Sequence, residues 1–310
     1  MKTIEISNFT QLPYGENIHQ SAAISPVENA IEYEILTDND TLEYIDYLNL
    51  SKVLEILAEF FDVNTAAISK ENKLCAAALG SSVENAFEKL ADCDPLSITG
   101  GTIGFSKEVT EDCAKILTSM KIRNIIAPKY TKGAIDQLQK SSINVLQIKS
   151  PLQELLGFNA KDIKLTPFGY LIQERNNCKL TKSNFKIAGK TKPTQQQAED
   201  AIFAWKISKY TQSKSAIIAK DLATKAIIQG HTNGVESAEI AMDYACEASK
   251  DAVMAVDGVI ENEETINAAI QGRIGLIIEA GDGANSSKIA KLADKYNIAI
   301  ITTGIRNNKY

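Results

Sequence analysis

Ala66-Ala-Ile-Ser-Lys70 precedes an apolar stretch, and Ala216-Ile-Ile-Ala-Lys220 precedes another. After the first, Ser82-Val-Glu-Asn-Ala86 opens a helical pattern that ends near Cys93. After the second, Gly234-Val-Glu-Ser-Ala238 opens one that passes Cys246. Both halves then continue through glycine-containing turns toward a strand, Asn124-Ile-Ile-Ala127 in one and Gly275-Leu-Ile-Ile278 in the other. The offset is roughly 150 residues, about one domain's length. Four echoes in the same order read as a duplicated unit. Around them, Ala66–Ser69, Ile125–Ala127, Ala216–Ala219, Leu276–Ile278 and Ile298–Thr302 have the apolar, β-branched character of buried strands. Leu50–Phe61, Glu84–Leu90 and Ser286–Tyr296 carry helical periodicity. Strand and helix alternating in this way predict an α/β fold with helices covering the sheets. The polar segment 179–197 between the copies reads as a surface connector, giving an expected first subdomain over 1–178 and a second over 198–310.

The bulk properties narrow the function. The chain of 310 residues is 44% hydrophobic and 23% charged, with a net charge of −6. That is the composition of a globular protein, and it argues against non-specific nucleic-acid or membrane-surface binding. A phosphate pocket, which needs only two or three placed cations, is still compatible with it. The five cysteines are scattered and never form a CxxC pair, which points to reduced thiols rather than a disulfide framework or a structural metal. The first residues lack a signal-type apolar core, and no run reaches the length of a membrane span. A cytoplasmic address is the expectation.

Several segments resemble one family in order along the chain. Leu12-Pro-Tyr-Gly-Glu-Asn-Ile-His-Gln20 resembles RYGxNPHQ, and Tyr44-Ile-Asp46 resembles Tyr-Ile-Asn. Lys70-Glu-Asn-Lys-Leu-Cys75 resembles the KHxxPxG turn, and Cys93-Asp-Pro-Leu-Ser-Ile-Thr-Gly-Gly101 resembles CDPxSAFGG. Ile125-Ile-Ala-Pro128 matches IIAP, and Phe168–Arg175 resembles the GGLLVQxR strand. Phe203-Ala-Trp-Lys206 and Tyr210–Ala216 resemble FAWK and YTQSNS, while Thr302-Thr-Gly-Ile-Arg306 resembles TGVRxFRH. Together they resemble the transformylase domain of the bifunctional purine-biosynthesis enzyme, the AICAR transformylase family, over nearly the whole chain. The resemblance implies two cytidine-deaminase-like α-β-α subdomains, a homodimer with active sites at its interface, and no metal. It also implies formyl transfer from 10-formyltetrahydrofolate to the amine of aminoimidazole carboxamide ribonucleotide. Nothing in these residues corresponds to the IMP cyclohydrolase domain that usually precedes this one.

The same resemblance assigns candidate residues and marks where they depart. The acceptor is a conjugated aryl amine, so catalysis must take its proton, stabilise an oxyanion and protonate the leaving folate nitrogen. Lys70 falls on the family lysine and would supply the cation; the competing reading is a lysine in a strand-ending turn. Glu71 replaces the family histidine, and a carboxylate is a weaker base than imidazole. Lys214 replaces the catalytic asparagine, either to receive an anionic group or as an ion-paired surface lysine. His231 is the one imidazole placed to replace the lost base, against the simpler reading of a loop histidine. Substrate contacts are implied for Tyr14, Gly15, Asn17, Asp46, Gly100, Gly101 and Arg306, and Asp257 falls in the folate and substrate wall. Pro13 stands where the family has an arginine, Gly258–Asn262 replace an aromatic run, and Asp282 adds negative charge to the late glycine turn. The expectation is a divergent formyl or other acyl transferase taking a small anionic or nucleotide-like substrate. The alternatives are a non-catalytic small-anion-binding relative and a still-active AICAR formyltransferase.

Overall fold

The computed structural model describes residues 6–28, 30–37, 39, 41–157 and 161–310. The chain divides into two compact units. The first takes Met1–Cys75, Gly80–Glu88 and Pro95–Phe158; the second takes Ala76–Leu79, Lys89–Asp94 and Asn159–Tyr310. Both are mixed α/β.

In chain order the first stretch runs β1 (Thr10–Leu12), β2 (Ala22–Ile24), β3 (Tyr33–Ile35), α1 (Tyr44–Glu59), β4 (Asn64–Lys70), β5 (Lys73–Gly80) and α2 (Val83–Ala91). It continues through α3 (Pro95–Ile98), β6 (Thr102–Phe105), α4 (Glu111–Thr118), β7 (Asn124–Ala127), α5 (Lys132–Leu138) and β8 (Asn144–Ile148). β4 and β6 are antiparallel, β6, β7 and β8 are parallel, and β3 closes the edge antiparallel to β8. Every residue of β6 and β7 is buried. Such strands lack polar alternation because helices cover both faces.

The second stretch runs β9 (Asp162–Thr166), β10 (Gly169–Gln173), β11 (Lys186–Ile187), α6 (Gln195–Ser208), β12 (Ala216–Lys220), β13 (Ala223–Ile228) and α7 (Gly234–Ala245). Then follow β14 (Val253–Val256), α8 (Glu263–Gln271), β15 (Leu276–Glu279), α9 (Ser286–Lys295) and β16 (Ala299–Thr302). β12 pairs antiparallel with β13 and with β14, while β14, β15 and β16 are parallel. β11 closes the edge antiparallel to β16. The segment 179–197 thus carries β11 and the first turn of α6. Ile218, Met254, Ile277 and Ile300 form one apolar core with Ala238, Ala241, Ile266 and Ile289 from the helices.

Local chemistry explains where elements begin. Thr194 caps α6 by accepting from the Gln197 amide, and the Gln197 side chain returns to the Thr194 amide. Asn233 caps α7 through the Glu236 amide at 2.9 Å. α1 starts at Tyr44, six residues before the helix expected from periodicity at Leu50. The Glu43 side chain accepts from the Asp46 amide, and the Asp46 carboxylate accepts from the Glu43 amide. This reciprocal pair nucleates a polar first turn that apolar spacing does not reveal.

The turns after β4 and β12 share one construction. Glu71 and Asn72 lie at φ 53° and 57°, Asp221 and Leu222 at φ 56° each. Two consecutive positive values are the signature of the tight hairpin turn that matches strand twist. A buried side chain from the preceding helix holds each turn. Asn49 Oδ1 accepts from the Asn72 amide at 2.9 Å. Asp200 accepts from the Leu222 amide at 2.7 Å and the Asp221 amide at 3.1 Å.

Candidate functional site

In the first unit, Lys70 ends β4 and its Nζ donates to the Thr99 carbonyl at 2.8 Å. The ammonium is thereby aimed along the loop that carries Gly100 and Gly101. Gly100, at φ 74°, donates its amide to the Lys121 carbonyl at 2.6 Å. Gly101 admits no side chain: a Cβ there would stand 2.5 Å from the Ser97 carbonyl oxygen and 2.8 Å from Ile68. Glu71, next to Lys70, is exposed on the hairpin turn.

Tyr14, Gly15 and Asn17 belong to one turn. The Gly15 amide donates to the Gln20 carbonyl at 2.8 Å, and the Asn17 side chain donates to Gln20 Oε1 at 2.7 Å. The Tyr14 phenol is held above its ordinary pKa, chiefly by its hydrogen bond to the Glu43 carboxylate. Asp46 is fully buried with both oxygens engaged. Oδ1 accepts from Arg123 Nε at 2.6 Å and Asn124 Nδ2 at 2.8 Å; Oδ2 accepts from Arg123 Nη2 at 2.9 Å and the Glu43 amide at 2.8 Å. Asp46 therefore reaches the surface only through the residues bound to it. Neither Arg123 nor Glu43 was among the residues expected from sequence. Arg123 lies 77 positions from its partner and leaves no local pattern. Glu43 was visible only as an acidic residue three before Asp46.

In the second unit, a shallow, open pocket is lined by Lys214, Ser215, Gly234, Val235, Asp257 and Glu261, among others. Asp257, nearly fully buried at the end of β14, shapes its floor. Asp257 Oδ1 accepts from the Ser215 amide at 2.7 Å, and Oδ2 accepts from the Ser213 hydroxyl and from Asn308 Nδ2 at 3.3 Å. The chain beyond Arg306 is bound to the same wall. The Asn307 amide donates to the Asp257 carbonyl at 2.7 Å, and Ser213 and Lys309 exchange bonds at 2.8 and 3.0 Å. Lys214 pairs with Glu261 at 2.8 Å. Its backbone amide donates to the His231 carbonyl at 2.9 Å, so His231 adjoins Lys214 through the main chain. The His231 ring lies 3.7 Å from Glu236. The start of α7 supplies Gly234 and Val235, giving the pocket the positive end of a helix beside a lysine and two carboxylates.

Arg306 does not line this pocket. Its Nε donates to both oxygens of Asp282 at 3.0 Å, with both side chains about half exposed. The glycine-turn aspartate thus neutralises the arginine expected to take a phosphate. Lys164 donates to the Tyr310 backbone oxygen. Among the described residues, no group of three or more His, Cys, Asp or Glu side chains stands together as a metal site, and no helix is long and apolar enough to cross a membrane.

Comparison with known proteins bears on the chain as a whole. A family model described as the AICARFT/IMPCHase bienzyme matches residues 1–244. The bifunctional purine biosynthesis protein PurH of Aquifex aeolicus is 31% identical over 319 residues, covering 100% of this chain and 61% of the relative. PurH of Acetivibrio thermocellus is 32% identical, covering 96% of this chain and 58% of that protein. PurH of Persephonella marina is 32% identical, with 96% and 59% covered. The chain thus spans about three fifths of the length of these curated relatives.

Proposed function

The chain belongs to the AICARFT/IMPCHase bienzyme family, and from that membership we propose that it is a purine-biosynthesis-type formyltransferase with altered catalytic residues and an altered acceptor. The observation that carries the reading is Lys70, retained on a tight turn at the end of β4, with its ammonium oriented by the Thr99 carbonyl. The implied donor is 10-formyltetrahydrofolate. The acceptor nitrogen bonds to the formyl carbon, the bond from that carbon to folate N10 breaks, and one proton passes from the amine to N10. Lys70 stabilises the oxyanion that forms between these events. Glu71 is the adjacent group able to accept the amine proton. In the second unit, Lys214, paired with Glu261, is the cation open to an anionic ligand group, His231 is its reserve base, and Asp257 orders the wall of that pocket.

The same proposal extends to organisation. Residues 1–178 and 198–310 are taken as two cytidine-deaminase-like subdomains joined by 179–197. The support is that each carries a helix, a hairpin, a further helix and three parallel strands in that order, with a short antiparallel strand at the edge. A homodimer is proposed because β9 and β10 form an isolated hairpin whose Leu165, Phe168, Tyr170, Leu171 and Ile172 are all exposed. A two-stranded hairpin with that apolar surface is marginal in water by itself. A cytoplasmic address follows from the reaction class.

The test is formyl transfer by the purified protein, followed by tetrahydrofolate release, across aminoimidazole carboxamide ribonucleotide and a panel of other small amines. Little turnover of the ribonucleotide is expected, because each lost acid–base group is worth about 10²-fold or more. Transfer to another amine, abolished by Lys70→Ala, supports the reading. Efficient formylation of the ribonucleotide would show that the altered residues had not redirected the chemistry. Absence of transfer to every amine, together with no folate binding, would favour the non-catalytic alternative.

A further inference from the structure

A row of polar side chains crosses the first unit where a parallel sheet is ordinarily apolar. Thr102, Asn124 and Asn144 are the first residues of β6, β7 and β8, stand in register, and are all buried. Asn144 Nδ2 donates to Asn124 Oδ1 at 3.0 Å, and Asn124 Nδ2 donates to Thr102 Oγ1 at 2.9 Å and to Asp46 Oδ1 at 2.8 Å. Asp46 then grips Arg123 through two bonds, and Arg123 Nη2 reaches Glu43 Oε2 at 3.0 Å. The Asp46 side chain is 0% exposed, and Arg123 and Glu43 beyond it are 31% and 22% exposed. Beyond Glu43 stands the partly buried Tyr14, whose phenol is held above its ordinary pKa chiefly by hydrogen bonding to Glu43.

A buried carboxylate needs only a paired cation and satisfied acceptors. Asp46 would have that without the outward reach of Arg123. The planar guanidinium does more, because it joins two carboxylates at a fixed separation, which a lysine ammonium cannot reproduce. We propose that Arg123 is a positioning residue for Tyr14, acting through Glu43 and anchored by Asp46. The chain would thereby hold its tyrosine rigidly without an arginine at position 13. This rests on the reading above that Tyr14 contacts substrate.

Two effects of Arg123 on Tyr14 have opposite signs, which makes the idea testable. As a nearby positive charge, Arg123 lowers the phenol pKa; by holding Glu43 in place, it sustains the larger effect that raises it. The experiment titrates ¹³Cζ-labelled tyrosine in the full chain by NMR, with the Tyr14 signal assigned from Tyr14→Phe. Glu43→Gln should move the Tyr14 titration to lower pH. Arg123→Lys keeps a cation beside Asp46, so the fold is retained, but it breaks the fork. It too should move the titration to lower pH. An unchanged or higher titration in Arg123→Lys would overturn the proposal. If that variant unfolds, Arg123→Met combined with Asp46→Asn, compared with Asp46→Asn alone, gives the same readout without a buried unpaired charge.

A second arm measures the dissociation constant for aminoimidazole carboxamide ribonucleotide. Arg123→Lys should weaken binding about tenfold in the parent and have no effect in Tyr14→Phe, the non-additivity expected of residues acting in series. An equal loss in both backgrounds would mark Arg123 as merely structural and overturn the proposal. If Tyr14→Phe binds the ribonucleotide as well as the parent does, the substrate reading of Tyr14 fails, and the titration still decides whether Arg123 acts through Glu43.

Discussion

Replacing Phe168 and Leu165 with serine probes how the β9–β10 hairpin is covered. Phe168 is fully exposed and Leu165 is 76% exposed within the single chain. Burying a side chain of this size contributes about 1.5–3 kcal/mol, and each position enters a symmetric dimer twice. If half of that surface is covered on association, the two substitutions together remove about 3–6 kcal/mol. That corresponds to roughly 10²- to 10⁴-fold in the dimer dissociation constant. Sedimentation equilibrium of parent and variant across nanomolar to micromolar concentrations reads the change directly. Circular dichroism of the dilute variant should match the parent, because neither side chain is packed within its own chain. A parent that sediments as a monomer at tens of micromolar would refute the reasoning, as would a variant with an unchanged dissociation constant.

Other substitutions separate structural from ligand-binding roles. Asp46→Ala leaves Arg123 and Asn124 facing an empty buried site and should destabilise the protein by about 3–5 kcal/mol, read as a drop in thermal midpoint on the order of 10 °C. Arg306→Ala should leave the thermal midpoint unchanged, since the Asp282 pair is half exposed. It should weaken binding of whatever ligand a screen identifies about tenfold, with Arg306→Lys recovering part; unchanged binding in both would remove Arg306 from the site. Burial raises the Asp200 carboxyl above its ordinary value of 3.8. A raised value means that the folded state favours the protonated form, so this contribution is greatest below about pH 4 and is lost as pH rises through the folded value. Urea titrations of the parent should therefore lose stability relative to Asp200→Asn on going from pH 4 to 7. A parent that gains relative stability over that range would contradict the assignment.

The strands of both cores were legible because their residues are buried on both faces. Ala66–Ser69, Ala216–Ala219 and Leu276–Ile278 are apolar without alternation except for the buried Ser69, and each falls within an observed strand. Periodicity alone failed where polar chemistry sets the boundary, as at the first turn of α1. Phe168–Arg175 resembles a strand of the family and carries the β-forming run Tyr170–Ile172, yet every residue of β10 is exposed. Composition registers the tendency to extend; it does not say whether another surface covers the strand.

The candidate sites show a parallel division between residue identity and residue availability. Lys70, Lys214 and Arg306 were identified as cations, and each meets a specific acceptor: the Thr99 carbonyl, Glu261 and Asp282 respectively. Those acceptors lie 24 to 47 positions away in sequence, beyond the reach of any local pattern. The partner decides what a cation can do. Lys70 is bonded to a neutral carbonyl and has no carboxylate to displace before it meets an anion. Arg306, bound to both oxygens of a carboxylate, must exchange that partner before it can take a phosphate. Lys214 sits between these cases, since Glu261 is largely exposed and can swing away. A ligand that brings its own anion to the second unit therefore competes first for Lys214, beside the start of α7, and only then for Arg306. This order inverts the one that residue type alone suggests, in which arginine would be the primary anchor.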